Sequence, residues 1–337
     1  MTAIRLFILT LLAMVAFASN SLLCRLALKH TSIDAASFTF IRIFSGAVAL
    51  WLLMNIRSRM IVDRTATPLA AGSKTRVGFP SASSSPKRRG DPFSLREKVR
   101  RRVLGWKGNG NWTSALALFT YAAAFSFAYV NLSAGTGALL LFGAVQATMI
   151  FWGLHKGERL DAIQITGLVV AVTGLVILVF PGLSAPPLIG SILMLGAGVA
   201  WGVYSLRGKG VQNPASVTAG NFIRAIPFSV VVWIFFLPWA HVDLAGVTYA
   251  IISGAIASGV GYVIWYSALP GLKAASAATV QLSVPVLAAT GGILLLGESI
   301  TLRYVLASVT VLGGIALVVV TLHSQNQTAS GSEELRL

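Results

Sequence analysis

The sequence predicts an all-α integral membrane protein of ten transmembrane helices, arranged as two inverted five-helix repeats. Three observations predict it. Mean hydropathy is +0.79 and only 11% of the 337 residues are charged, against about a quarter in a soluble domain. Ten apolar runs are each long enough to cross a bilayer, which takes about 20 residues. A stretch of the second half also repeats a stretch of the first at a fixed offset.

The runs lie at about 4–23, 35–54, 112–131, 134–154, 161–180, 187–206, 217–238, 244–266, 274–296 and 302–322. Turn-forming stretches rich in Gly, Pro and polar residues separate them, among them "LSAGTG", "FPGLSAPP", "RGKGVQNPAS" and "LPGLK". Pro227, Pro285, Gly291 and Gly292 fall inside runs, where membrane helices tolerate them. Arg5, the first run and Ala16-Phe17-Ala18 resemble a signal peptide. The run continues past Ala18 and nine more follow, so this segment is expected to stay as the first span.

Net charge is +16. Residues 55–111 alone hold fourteen Lys/Arg and three Asp/Glu, a net +11. The basic character therefore belongs to one loop of a lipid-soluble chain, which disfavours nucleic acid as the partner. With the N-terminus inside, the inner loops collect 21 Lys/Arg and the outer loops three, Arg25, Lys29 and Arg303. The positive-inside rule then places both termini in the cytoplasm, across what is expected to be a bacterial inner membrane. Residues 57–110 read as a disordered basic cytoplasmic loop, within which 93–106 could lie as a basic amphipathic helix on anionic lipid. Residues 323–337 read as a cytoplasmic tail.

Residues 139–178 align with 279–318 at an offset of 140 without gaps: Gly157-Glu158 falls on Gly297-Glu298, and Gly174 on Gly314. Phe40-Ile41-Arg42 falls on Phe222-Ile223-Arg224. The units are 1–181 and 187–322. Five spans is odd, so consecutive copies face opposite ways across the membrane. That symmetry underlies many alternating-access transporters, whose site lies near the midplane between the halves.

These features resemble a known family. Ten spans, a duplicated unit, Gly-Glu closing the fourth and ninth spans, Ala200-Trp201-Gly202 with Lys209 eight residues after Trp201, and "SVPVLAATGGILLLGE" at 283–298 are similar to the EamA-type branch of the drug/metabolite transporter superfamily. Phe17-Ala18-Ser19-Asn20 stands where the family often has Trp-Gly-Ser-Asn, and Ala144-Val145-Gln146 where Glu-Pro-Val is common. The resemblance implies transport of small polar metabolites, often amino-acid export.

Candidate site residues follow from polarity within the spans. Arg42 and Arg224 each lie about seven residues, or about 10 Å, into a helix. Each could snorkel to the near interface, or control a gate or attract a carboxylate or phosphate. Tyr121, Trp201, Tyr204, Tyr262 and Trp265 could line a cavity, or could serve as packing or an interfacial belt; Tyr129 and Tyr266 belong to the same group. Asn20, Gln146 and Gln281 carry polar groups that hydrocarbon leaves unpaired at a cost, so they bond a neighbouring helix or the solute. Glu158 and Glu298 sit at helix ends, in a gating or structural role.

No Asp or Glu lies deep in a span, which counts against proton–cation exchange on a buried acid. The lone Cys24 permits no disulfide within the chain. The four His have no metal or catalytic spacing, and no phosphate-binding loop is present. A non-enzymatic monomer is expected, with no cofactor or metal, whose partners are a small-molecule substrate and the bilayer. Three readings remain open: export of small polar metabolites, exchange of anionic solutes such as nucleotide sugars or sugar phosphates, and a non-transporting scaffold.

Overall fold

The computed structural model describes residues 3–66, 109–157, 161–180, 182, 185–208, 211, 213–272 and 280–317. Within them the chain forms ten helices and no strand. They are α1 (Ala3–His30), α2 (Ala35–Ala66), α3 (Trp112–Tyr129), α4 (Ala134–His155), α5 (Ala162–Val179), α6 (Leu188–Gly208), α7 (Pro214–Phe236), α8 (Leu244–Gly271), α9 (Ser283–Leu296) and α10 (Leu302–Leu317).

Local chemistry sets most boundaries. Asp34 Oδ1 accepts from the Ala36 and Ser37 N–H groups, both at 2.9 Å, and starts α2. Asn111 and Ser133 cap α3 and α4 in the same way. Asp161 and Gln164 form a capping box on α5, and Asn213 precedes Pro214 at the head of α7. Gly297, at φ +61°, closes α9 in the left-handed conformation that glycine adopts without a Cβ clash.

Seven helices are long and apolar enough to cross a membrane: α1, α2 and α4 to α8. The runs assigned to α9 and α10 extend beyond the described residues. The 18-residue α3 falls outside the seven because its Ser, Thr, Tyr and Trp residues lower its apolar content, and it buries Ser114, Tyr121, Ser126 and Tyr129. Large apolar side chains such as Phe7, Phe151, Ile189, Leu294 and Leu302 point outward, each more than 60% exposed. Arg42, Asn20, Gln146 and Gln281 are buried instead. A greasy exterior around a polar interior suits a bundle immersed in lipid.

Much of the packing runs between the first five helices and the last five, and it is reciprocal. Helices α3 and α4 pack on α6, while α8 and α9 pack on α1. Helix α2 packs on α7, and α4 on α9. Helices α5 and α10 meet at Gly174 and Gly314, where an added Cβ would strike the Val311 and Ala171 backbones respectively. Val311 lies at the aligned offset of 140 from Ala171, as Gly314 does from Gly174.

The expected loop at 57–110 needs correcting at both ends. Helix α2 continues to Ala66, and Asn109 and Gly110 dock on α7: Asn109 Nδ2 donates to Ser216 Oγ at 2.6 Å, and a Cβ at Gly110 would collide with Asn221. At the first end the helical backbone continues past the apolar run; at the second, Asn109 and Gly110 are held by their contacts with α7. The helix expected at 93–106, Glu158 and the 323–337 tail lie outside the described residues.

Candidate functional site

The site lies where α1, α2, α3, α6 and α8 meet. Arg42, on α2, is 2% exposed. Its Nε donates to Ser258 Oγ on α8 at 3.3 Å and its Nη2 to Tyr121 Oη on α3 at 3.1 Å. The guanidinium also stands 4.8 Å from the Phe125 ring centroid and 5.3 Å from that of Tyr121, within cation–π range. Tyr121 Oη accepts a second bond from Asn20 Nδ2 at 3.1 Å, and Asn20 Oδ1 accepts from Ser253 Oγ at 2.6 Å. One polar chain therefore links four helices.

An aromatic cluster adjoins it. Trp201 lies 4.8 Å from Tyr262, 4.9 Å from Tyr121 and 5.5 Å from Tyr204, centroid to centroid. Phe17 touches Trp201, Tyr262 and Trp265 edge-on at 5.9–6.1 Å, the geometry the ring quadrupole favours. Ser253 and Ser258 belong to a π-helical segment of α8, Ser253–Val260. Such wider turns recur at functional sites because they redirect side chains. Here Gly254 lets α8 press on α2 so closely that a Cβ would stand 2.1 Å from Arg42 O.

Of the eight residues predicted from the sequence, Asn20, Tyr121, Trp201, Tyr204, Tyr262 and Trp265 come together. Their rings pack on one another rather than around a void, so the cavity lining expected from the sequence is, in this conformation, a closed cluster. Packing the rings edge-on and tilted against one another buries more apolar area than an open pocket would. The interfacial-belt alternative fails for Tyr121, Tyr129, Trp201, Tyr204, Tyr262, Trp265 and Tyr266, all of which are buried. Gln146 and Gln281 are also buried, but the contacts just described do not include them. The sequence reading missed Phe17, Phe125, Ser253 and Ser258 as site members. The spacing Ser-Gly-x-x-x-Ser-Gly at 253–259 was the available signal, since small residues at helical spacing permit close helix contact.

The two predicted arginines part company. Arg42 does not snorkel. Arg224 does: its Nη1 donates to Asn109 O at 2.8 Å and Gly220 O at 3.0 Å, one turn back toward the helix start. Its neighbours make a polar cap at the start of α3. Arg207 Nε donates to Ser114 Oγ at 3.0 Å and its Nη2 to Asn111 Oδ1 at 3.1 Å, while Asn221 Oδ1 accepts from Asn111 N at 3.0 Å.

The opposite end of α3, about 27 Å away for 18 residues, is closed by Glu298. Its Oε1 pairs with Arg25 Nε at 3.2 Å and its Oε2 accepts from Ala134 N at 2.8 Å. Arg25 Nη1 meanwhile donates to Tyr129 O and Val130 O, both at 2.9 Å. This is the one ion pair between described residues, and it ties the end of α9 to α1. Beside it lies a cavity of about 210 Å³, lined by Glu298, Ser133, Thr136, Thr301, Tyr304 and nearby apolar side chains. Among the described residues no group of His, Cys, Asp and Glu could hold a metal.

Residues 188–320 match the EamA-like transporter family. An uncharacterized protein of Pseudomonas aeruginosa is 49% identical over 93% of this chain and 94% of its own length. A probable amino-acid metabolite efflux pump of Escherichia coli is 24% identical over 62% of this chain and 76% of its own. The threonine/homoserine exporter RhtA of Salmonella typhimurium is 34% identical over 41% of this chain and 48% of its own. A solved crystal structure superposes with a TM-score of 0.57 at 14% identity, over 94% of this chain and 98% of that one, a likeness of fold alone. The bundle's apolar exterior, its buried polar centre and these matches agree: the chain is a multi-pass membrane protein and belongs to the EamA-like transporter family of the drug/metabolite transporter superfamily.

Proposed function

We propose that the protein exports small polar metabolites, amino acids foremost, by alternating access between two inverted five-helix repeats, 1–181 and 187–322. The observation that carries this is the polar chain Ser253–Asn20–Tyr121–Arg42–Ser258, buried where helices of both halves cross. Burying such groups in a lipid-immersed bundle costs several kcal/mol unless they are paired or put to use. The reciprocal packing of α1 on α8 and α9, and of α6 on α3 and α4, supports the inverted repeat. The names of the E. coli and Salmonella relatives support the solute class.

In this reading both termini are cytoplasmic, in a bacterial inner membrane. The Arg25–Glu298 contact closes the outer end and the Arg207–Asn111–Asn221 network the inner one. The cavity beside Glu298 is then the outer vestibule. A solute shifts the equilibrium only as far as its contacts differ between the inward- and outward-facing states.

The purified chain in liposomes, scanned with radiolabelled amino acids including threonine and homoserine, should show saturable flux above empty vesicles. Absence of such flux for every solute would discard the transport reading. Orientation is tested with cysteines introduced near each terminus. The native Cys24 is the only cysteine and is buried, so an impermeant maleimide applied to right-side-out vesicles should label neither terminus.

A further inference from the structure

We propose that Arg42 is the carboxylate anchor of the solute site and that the site takes monocarboxylates carrying an ammonium group. This rests on the transport reading above and names its ligand chemistry. The argument begins with a missing counter-ion. Arg42 is 2% exposed, yet no described Asp or Glu pairs with it, the one such ion pair being Arg25–Glu298. Its present partners are two neutral hydroxyls and two ring faces. A guanidinium held this way keeps its full charge while lacking the anion that would compensate burial.

The free valences match a carboxylate. Nε and Nη2 spend one edge of the guanidinium on Ser258 and Tyr121. Nη1 has no hydrogen-bond partner among the described residues, and Nη2 has a second N–H. Together they form the end-on fork that grips a carboxylate through two parallel bonds. The buried hydroxyl of Tyr262, one turn beyond Ser258 on α8, makes no hydrogen bond of good geometry among the described residues.

The charge count narrows the class. One arginine balances one negative charge, and a phosphate dianion would leave the other uncompensated. No carboxylate among the described residues stands in the cluster to receive an ammonium, so in a conformation that opens the cluster the aromatic side chains around Trp201 and Tyr262 would take it by cation–π attraction.

Thermal-shift titration of the purified full chain in detergent tests this without requiring flux. The probes are L-threonine, L-leucine and L-phenylalanine, their C-terminal amides, O-phospho-L-threonine and inorganic phosphate. The free amino acids should stabilise the wild type, while the amides should bind at least about tenfold more weakly through the loss of one charge-assisted contact, and the two phosphate compounds more weakly through the charge that Arg42 leaves uncompensated. Arg42→Gln should lose the amino-acid response and Arg42→Lys should keep a weakened one. Tyr262→Phe should bind a few-fold more weakly.

Amides that bind as well as acids, phosphate that binds better, or a wild type that responds to no free amino acid would each overturn the anchor. If Arg42→Gln fails to fold, the acid–amide series on the wild type still decides. Flux that persists in amides or in Arg42→Gln refutes the anchor and leaves transport standing. Carboxylate-dependent binding without flux does the reverse.

Discussion

Arg42 and Arg224 end the same tripeptide, Phe-Ile-Arg, one in each half of the chain, yet the fold treats them oppositely. Arg224 turns back one helical turn to backbone carbonyls at its own end of the bundle. Arg42 stays under Tyr121 and Phe125, with a serine of α8 on its Nε. The difference comes from what each arginine meets. Residues 109–110 provide Arg224 with a polar cap, whereas Gly254 brings α8 against Arg42 and seals it in. The same tripeptide thus places one arginine in contacts at an end of the bundle and the other sealed near its centre.

The sharpest way to break this contrast is to open the α2–α8 contact. Gly254→Val adds side-chain carbons where a single Cβ would already stand 2.1 Å from Arg42 O. It should cost about 3 kcal/mol, as severe overpacking does, and appear as a lowered thermal midpoint in detergent. A variant as stable as the wild type would mean that α8 does not press on Arg42.

Next comes Arg42→Met. Flux should fall about a hundredfold, near 2.7 kcal/mol, while the thermal midpoint stays or rises, because an apolar side chain of similar length relieves an uncompensated buried charge. Retained flux would put Arg42 on the same footing as Arg224.

Tyr121→Phe should follow, at about 2 kcal/mol of stability, because it leaves Arg42 Nη2 and Asn20 Nδ2 without their acceptor. Adding Asn20→Leu to it should cost less than the two single losses combined, which a double-mutant cycle in thermal stability would measure. The smallest effect should be that of Arg224→Gln, about 1 kcal/mol for its carbonyl contacts and with flux near wild type. A loss matching that of Arg42→Met would restore the symmetry the two repeats suggest.

Much of the site was legible in the sequence. Asn20, Tyr121, Trp201, Tyr204, Tyr262 and Trp265 stand out as polar or amphipathic groups within apolar spans, and such groups rarely face lipid. Phe17 and Phe125 could not be told from the many other aromatic residues of a greasy chain. Ser253 and Ser258 acquire meaning only from the π-helical turn that carries them toward Asn20 and Arg42. The long loop differs at both ends from the expected 57–110 because hydropathy marks where lipid stops rather than where a helix or a docked segment does.

Composition, hydrophobic run length and the duplicated segment determined by themselves the membrane class, the ten helices and the positions of most central polar groups. These are short-range properties, readable because lipid demands about 20 apolar residues per crossing and penalises every unpaired polar atom. Only the tertiary structure decided which arginine is buried, that the aromatic side chains close on one another, and that Glu298 reaches Arg25 across the sequence. Those outcomes depend on contacts between helices far apart in the chain, where one glycine or one serine on the facing surface settles whether a charge is sealed in or released to the edge.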